Sequence, residues 1–197
     1  VVFVCTPNNL IPDLAVKSLE RGKHVFCEKP PGRTLSDIVR IMNAEKENPD
    51  TKLMFGFNHR FHPGVMRAKA IVDSGRMGKV IALRGLYGKS GGKNFSTSWR
   101  NDLEISGGGI LMDQGIHMLD LVLDLIGNLQ VKSALIDDLD NKPGIEANAF
   151  INLRSHNGVP VSIHSSMYQW QHKFSLEVGT EKAIIGLNYK PQRMLSH

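Results

Sequence analysis

The chain has 197 residues, enough for one large domain or two small ones with a buried core. Its composition, 41% hydrophobic and 22% charged, is ordinary for a globular protein, and no apolar run approaches the roughly 18 residues that span a bilayer. The formal charge is +5, but Lys and Arg are scattered without a basic stripe, which argues against nucleic-acid binding. Two cysteines, Cys5 and Cys27, are too few for a disulfide scaffold or a zinc site and indicate free thiols in a reducing cytoplasm.

The first sixty residues alternate short apolar runs with helical patterns, which is typical of a doubly wound α/β unit. The predicted elements are a strand over 1–5, a helix over 10–21, a strand over 24–27, a helix from 34 and a strand over 52–57. Gly22 is placed to end the first helix, and Thr34 to cap the second with Asp37 at its third position. The crossovers are long enough for right-handed connections, so we expect one parallel sheet.

From Asn58 the pattern changes to that of an α+β domain with an open, largely antiparallel sheet. The predicted elements are a helix over 63–74, a strand over 79–87, a polar glycine-rich loop over 88–108, a helix over 109–126 and strand-like runs over 130–137, 146–155, 159–168, 174–178 and 182–187. The turn His156-Asn157-Gly158 favours antiparallel pairing. The predicted fold class is α/β, with the C-terminal part of a Rossmann-type parallel sheet over 1–58 and an incomplete α+β domain over 59–197.

A dinucleotide-binding domain should carry a Gly-x-Gly-x-x-Gly turn after its first strand. No such turn follows residues 1–5, and Gly107-Gly108-Gly109 comes after a polar loop. We therefore interpret residues 1–57 as the last three strands of a dinucleotide-binding domain, and the chain as a fragment that lacks the N-terminal glycine-rich part.

Three motifs carry residue types suited to chemistry. Glu28-Lys29-Pro30 and Thr6-Pro7-Asn8 each follow a predicted parallel strand, at the sheet edge where ligands bind in open α/β folds. Asp113 and His117 are four residues apart on a predicted helix, so the carboxylate is expected to orient the imidazole and raise its basicity. A histidine with a pKa near neutrality suits proton removal from an alcohol. Taken singly, each motif is explained as well or better by a solvated turn lysine, a structural turn or a helix-surface contact.

Together these motifs resemble the Gfo/Idh/MocA family of oxidoreductases, named for glucose–fructose oxidoreductase and inositol dehydrogenase. The resemblance runs through TPNNLIPDLAVKSLERGKHVFCEKPPGRTLSD, GFNHRFHPGV, DSGRMGKV, Trp99-Arg100 and GGGILMDQGIHMLDLVLDLIG. It implies a Rossmann domain that holds NAD or NADP, followed by a substrate-binding and oligomerisation domain built on an open sheet. The implied reaction is hydride transfer between NAD(P) and a hydroxyl-bearing carbon of a sugar, polyol or nucleotide-sugar.

The resemblance also implies roles for individual residues. The catalytic residues would be Lys29, Asp113 and His117, with His117 as the proton acceptor. The cofactor would be contacted by Thr6, Pro7, Asn8, Glu28, Lys29, Pro30, Asn58, Trp99 and Arg100. The substrate would be contacted by Lys29, Arg60, Asp113 and His117.

The resemblance leaves two alternatives open, an NAD-dependent glycosidase and a non-catalytic NAD(P)-binding regulator. A metal-dependent hydrolase is disfavoured because His59 and His62 have the wrong spacing for one helical face, and no metal is expected. His164, Trp170 and His172 are placed to face a sugar ring or to pack a subunit interface. The expected partners are a sugar or polyol and further copies of the chain, in a homodimer or homotetramer through the open sheet. No nucleic acid or membrane is expected, and the expected location is cytoplasmic.

Overall fold

The computed structural model describes residues 1–90, 98–140 and 142–189 and shows two separate sheets. One sheet has three strands and the other has six. Two predictions extend beyond the described residues: the polar loop over 88–108 at its residues 91–97, and the second predicted domain at 141 and 190–197. The α/β fold class with a small parallel sheet and a larger, mostly antiparallel one is confirmed.

The small sheet contains β1 (Val2–Val4), β2 (Val25–Cys27) and β3 (Leu53–Phe55), in that order and all parallel. The crossovers are α1 (Ile11–Glu20) and α2 (Leu35–Glu47), and both helices fall within the predicted ranges. Apolar side chains from the strands and from one stripe of each helix form a closed core of Val4, Ile11, Ala15, Leu19, Val25, Cys27, Ile41 and Ala44. Burial of these side chains is what holds the helices on the sheet.

The helix ends follow the local chemistry predicted for them. Gly22 has φ +68°, a left-handed conformation that residues with a Cβ avoid, and it follows the last turn of α1. Thr34 accepts a hydrogen bond at Oγ1 from the Asp37 amide at 3.2 Å, which satisfies a free donor at the start of α2. The Asp37 carboxylate accepts in return from the Arg33 amide at 3.0 Å. Both caps are confirmed.

The large sheet has the strand order β5-β6-β7-β4-β8-β9. Its strands are β4 (Val80–Ser90), β5 (Leu129–Leu139), β6 (Lys142–Ser155), β7 (Pro160–Ser166), β8 (Tyr168–Thr180) and β9 (Ile184–Tyr189). Neighbouring strands are antiparallel except for β4 and β7, which run parallel in the centre of the sheet. The predicted run over 182–187 therefore forms a true edge strand, β9, and the expected open sheet is present.

One face of the large sheet is covered by a helix. The predicted single helix over 109–126 divides into a π-helical turn, Leu111–Gly115, and α5 (Ile116–Ile126). The apolar stripe of α5 packs on the sheet in a core that includes Leu83, Met118, Leu121, Val122, Leu125, Ile151, Ile163 and Leu176. Two further helices in this part of the chain are α3 (Pro63–Asp73) and the short α4 (Leu103–Ser106). In the described ranges, no helix has the length and apolar character needed to cross a membrane.

Arg60 fastens the segment after β3 to α5. Its guanidinium donates to Asp120 from Nε at 2.7 Å and from Nη2 at 2.5 Å, and Nη1 lies 3.4 Å from Asp124. The Asp120 carboxylate is almost fully buried, whereas the Arg60 side chain is 41% exposed. This placement favours a structural role for Arg60 over the substrate contact predicted from the sequence.

Removing the charge of Asp120 should weaken the fold measurably. Asp120→Asn leaves the half-buried guanidinium with a poorer acceptor, so we expect a loss of about 1.5 kcal/mol, the low end for a hydrogen bond to a charged group. The measurement is urea unfolding at pH 7. The matched control is Glu177→Gln, which breaks the exposed Arg84–Glu177 pair and should cost between about 0 and 1 kcal/mol. Equal losses in the two variants would contradict the structural role.

Candidate active site

A cavity of about 310 Å³ opens at the carboxyl ends of β1 and β2 and brings most of the predicted site residues together. Its lining includes Thr6, Pro7, Asn8, Glu28, Lys29, Pro30, Trp99, Arg100, Gly108, Gly109 and Asp113. Val4 and Cys27 are paired in the parallel register, so Thr6 and Lys29 each lie two residues beyond the same point of the sheet. The expectation that the two strand-end motifs meet at one edge is thus met by the geometry.

The Thr6-Pro7-Asn8 turn is held against α4. The Asn8 side-chain amide donates to the Ser106 carbonyl at 2.7 Å, and the Asn9 amide donates to the Ile105 carbonyl at 3.1 Å. Asn8 is therefore occupied in fixing the turn. Thr6 differs, because its buried Oγ1 has no hydrogen-bond partner within the described residues. A buried hydroxyl of this kind at a cavity wall is suited to bind a ligand.

The glycine segment before α5 crosses closely over β6. A Cβ on Gly109 would lie 2.1 Å from the carbonyl oxygen of Glu146, so only glycine fits. The Glu146 carboxylate accepts from the amides of Leu111 at 3.0 Å and Met112 at 3.2 Å, at the helix end that favours negative charge. The glycines therefore allow the backbone to pack closely against β6 as well as to line the cavity. The packing against β6 fixes the turn that carries Asp113.

Asp113 is clamped between two lysines. Lys29 Nζ donates to the Asp113 carboxylate at 3.0 Å and to its main-chain oxygen at 2.6 Å, and Lys89 binds the other carboxylate oxygen. Arg100 Nε lies 3.6 Å from that oxygen. Burial acts to raise the pKa of Asp113, but the two lysines more than offset it and hold the pKa well below its usual range. The carboxylate is thus ionised, and Lys89 is a site residue that the sequence did not single out.

His117 is enclosed by rings rather than paired with a carboxylate. It is 5% exposed, and its ring centroid lies 4.1 Å from that of His59, 6.2 Å from Phe57 and 6.3 Å from Tyr87. Its Nδ1 is buried with no hydrogen-bond partner in the described part of the chain. Burial, followed by the nearby His59 and Lys29, lowers the pKa of His117 to about 3, and the opposing effect of Asp113 is the smallest.

The prediction that Asp113 pairs with His117 and brings its pKa near neutrality is therefore wrong, although Asp113 does act to raise that pKa. We expected the carboxylate to orient the imidazole and raise its pKa toward neutrality. The structure shows the carboxylate bound by Lys29 and Lys89 and the imidazole kept neutral by burial. The cause is local: the π-helical turn and the two lysines direct Asp113 toward the strand ends, whereas His117 lies on the regular helix beyond it.

Asn58 lies at a second cavity, of about 870 Å³, between α3, β8 and β9. Its side-chain oxygen is 2.9 Å from Nδ1 of His59, which also lines this cavity together with Tyr87 and His172. Contact between Asn58 and the cofactor stays a prediction that the geometry of the first cavity does not support.

The two other aromatic candidates lie apart from both cavities. His164 stacks on Phe150 at 3.9 Å on the outer face of the sheet, and Trp170 is 99% exposed. No group of three or more His, Cys, Asp or Glu side chains that could hold a metal ion occurs in the ranges that the structure describes.

Known protein families match both parts of the chain. A family model described as "GFO/IDH/MocA C-terminal domain" matches residues 65–186, and one described as "Oxidoreductase family, NAD-binding Rossmann fold" matches residues 1–57. The chain belongs to the Gfo/Idh/MocA family. Levoglucosan dehydrogenase of Pseudarthrobacter phenanthrenivorans is 34% identical over 138 residues, which cover 69% of this chain and 35% of that protein. D-glucoside 3-dehydrogenase of Escherichia coli is 36% identical over 138 residues, which cover 68% of this chain and 37% of that protein.

A solved structure also supports the assignment of the chain to the Gfo/Idh/MocA family. A levoglucosan dehydrogenase in complex with NADH superposes with a TM-score of 0.90 at 27% identity, over 95% of this chain and 53% of that one. The matched residues cover 35% and 37% of the two dehydrogenases, and the structural match, which takes in nearly all of this chain, covers 53% of its relative, so the chain spans about half the length of these relatives.

The first cavity lies at the strand ends where ligands bind in open α/β sheets, and the family model that matches residues 1–57 is described as NAD-binding. The unpartnered Thr6 hydroxyl, the Glu28 carboxylate and the Lys29 ammonium supply a donor and acceptors for ribose hydroxyls at the strand ends. Trp99 and Arg100 also line this cavity, and the Arg100 guanidinium stacks on the Trp99 ring, 4.5 Å from its centroid.

The buried, neutral His117 should make the stability of the protein depend on pH. Its folded-state pKa of about 3 lies below the ordinary 6.5, so between these values the unfolded chain binds a proton that the folded chain does not. Stability should be complete above about pH 6.5 and fall below it, by at most about 1.4 kcal/mol per pH unit for one group. His117→Gln should flatten the decline between pH 7 and pH 5 in urea unfolding, whereas the exposed His156→Gln should not. Identical slopes in all three proteins would contradict this account.

Proposed function

We propose that the protein transfers a hydride between NAD(P) and a hydroxyl-bearing carbon of a sugar, polyol or nucleotide-sugar. The observation that carries the proposal is the pairing of functions at the first cavity: the partly buried Lys29 ammonium lines it, and the buried, neutral His117 imidazole lies close enough for Lys29 to lower its pKa. Family membership supports it, as do relatives whose names refer to dehydrogenation of levoglucosan and of D-glucosides.

In this proposal the chain's own residues handle the proton and the charge. The neutral imidazole of His117 has one unprotonated nitrogen, which accepts the hydroxyl proton. Lys29 donates to the same hydroxyl oxygen and stabilises the negative charge that develops there. Since a pKa of about 3 makes His117 a weak base, the charge stabilisation by Lys29 must lower the pKa of the alcohol as the proton moves. When bound, the nicotinamide supplies the hydride acceptor.

Asp113 has a different role from the one predicted. Its ionised carboxylate holds Lys29 and Lys89 in place, so both ammonium groups are oriented before a substrate arrives. A pre-organised charge in a site of low water content acts more strongly than the same charge in bulk water. Asp113 thus acts on the reaction through Lys29.

Replacing Lys29 or His117 should abolish most of the turnover. Lys29→Ala and His117→Ala should each lower kcat by about 10²–10⁴, the usual contribution of a positioned acid or base. The measurement is NAD(P)H formation in the full-length protein with a panel of sugars and polyols. The control is Lys23→Ala, which removes an exposed lysine of the α1–β2 loop and should leave kcat unchanged. The dehydrogenase proposal fails if no substrate in the panel reduces either cofactor.

The two alternatives differ in what that panel would show. A glycosidase that uses hydride transfer transiently would cleave an aryl glycoside without net NADH formation, so product analysis separates it from a dehydrogenase. A non-catalytic regulator would bind NAD(P) without turnover. The charged Lys29–Asp113–Lys89 arrangement beside a neutral His117 favours catalysis, because binding alone requires no proton acceptor.

The outer face of the large sheet is a candidate self-association surface. Leu135, Phe150 and His164 are opposite one another on adjacent strands, and Leu135 and Phe150 are 65% and 42% exposed. Contiguous exposed apolar side chains of this kind mark interfaces. We propose a homodimer or homotetramer through this face. The location that fits the two free cysteines is the cytoplasm.

A charge placed on this face should dissociate the assembly. Leu135→Lys would put an ammonium into the apolar contact, so the mass measured by sedimentation equilibrium should fall toward that of the monomer. The control is Leu35→Lys, which changes an exposed leucine on α2, outside the large sheet, and should keep the wild-type mass. Wild-type protein that sediments as a monomer would rule the proposal out.

A further inference from the structure

The proposed mechanism gives no role to the imidazole ring that lies against His117. His59, in the short 3-10 turn Asn58–Phe61 after β3, packs with its centroid 4.1 Å from that of His117 at an interplanar angle of 33°. Two imidazoles this close shield one another from water over most of a ring face. His59 therefore provides part of the burial that keeps His117 neutral.

His59 is itself held at both ring nitrogens. Its Nδ1 is 2.9 Å from the side-chain oxygen of Asn58, and its Nε2 is 3.2 Å from the Tyr87 hydroxyl. An amide oxygen only accepts, so Nδ1 carries the proton and Nε2 accepts from Tyr87. This assigns a single neutral tautomer to His59. Phe174, 5.7 Å away, packs against the same ring.

We propose that His59 is a positioning residue for His117. By stacking on the His117 ring, His59 fixes the orientation of that ring and excludes water from it. A carboxylate partner would orient the imidazole but would also favour its protonated form. A neutral, anchored ring gives orientation without that electrostatic bias. His117 thereby stays available as a proton acceptor over the whole neutral pH range.

The charged groups around the pair agree with this role. The groups near His117, besides His59, are Lys29 after β2, Asp113 in the π-helical turn and Tyr87 on β4. His59 is influenced by Lys29, His62 and Asp120, and burial is the largest cause that lowers its pKa. Lys29 opposes protonation of both imidazoles, so a neutral pair is the stable state beside the ammonium.

The test removes the ring and then restores its shape. His59→Ala opens the His117 face to water, whereas His59→Phe keeps a flat ring there but lacks both hydrogen-bonding nitrogens. In an NMR pH titration, His117 should remain unprotonated down to pH 5 in wild type and in His59→Phe, whereas in His59→Ala its midpoint should rise above pH 5 toward the ordinary 6.5. His156→Ala, in an exposed turn, serves as the control and should match wild type.

Kinetics in the full-length protein give the second readout, and this part rests on the proposed function. His59→Ala should lower kcat by about tenfold or more with little change in KM, and the acid limb of the pH profile should move to higher pH. His59→Phe should recover most of kcat. The NMR titration needs no substrate, so a failed substrate screen with a clear titration result would count against the proposed function alone.

Two results would overturn the positioning role. In one, His117 stays unprotonated at pH 5 in His59→Ala as in wild type, which shows that His59 only fills space. In the other, His59→Phe titrates like His59→Ala, which shows that ring stacking is not the cause. If His59→Ala does not fold, His59→Gln replaces it: the amide keeps a partner for Tyr87 but covers less of the His117 ring, so the midpoint should rise there also.

Discussion

The ion pair between Lys29 and Asp113 joins the two sheets, and the rest of the site depends on it. The residues are 84 positions apart: Lys29 follows a strand of the small parallel sheet, and Asp113 precedes the helix that covers the large sheet. Lys29 donates both to the carboxylate and to the main chain of Asp113, so the bond fixes a backbone as well as a side chain. Together with contacts such as those of Asn8 with Ser106 and Arg60 with Asp120, this ion pair aligns the two hydrophobic cores, and the candidate site residues lie around it.

Asp113 and His117 lie only one helical turn apart but in two different electrostatic environments. On one side, Asp113 is ionised between Lys29 and Lys89, where excess positive charge favours an oxygen that is becoming negative. On the other side, His117 lies among rings, where burial keeps it uncharged. A carboxylate paired with the histidine would instead have favoured the protonated form of the imidazole. In the proposed reaction, this separation allows one group to stabilise charge while its neighbour accepts a proton.

The sequence predicted the local elements and the strand-end motifs well, because both are set by nearby residues. Thr34 and Asp37 cap α2 through contacts three residues apart, and the position of Lys29 at a sheet edge follows from the parallel order of the strands. Lys89 and His59 were not found because their roles depend on the three-dimensional meeting of β4, the turn after β3 and α5. No spacing in the sequence records such a meeting. The Asp113–His117 pairing was wrong for the same reason: four-residue spacing on an ideal helix ignored the π-helical turn and the two lysines.

The π-helical turn is explained by the strand beneath it. Gly109 must cross β6 at a distance that no Cβ permits, and Glu146 binds the first free amides of the helix from below. These two contacts fix where the helix begins, and the extra residue accommodated in the turn then sets the direction of Asp113 relative to α5. If a regular α-helix began at Gly109, the Asp113 side chain would point in a different direction relative to His117. The geometry of the candidate site is therefore set as much by packing against β6 as by the charged residues themselves, which is why Gly109 and Glu146 matter to it.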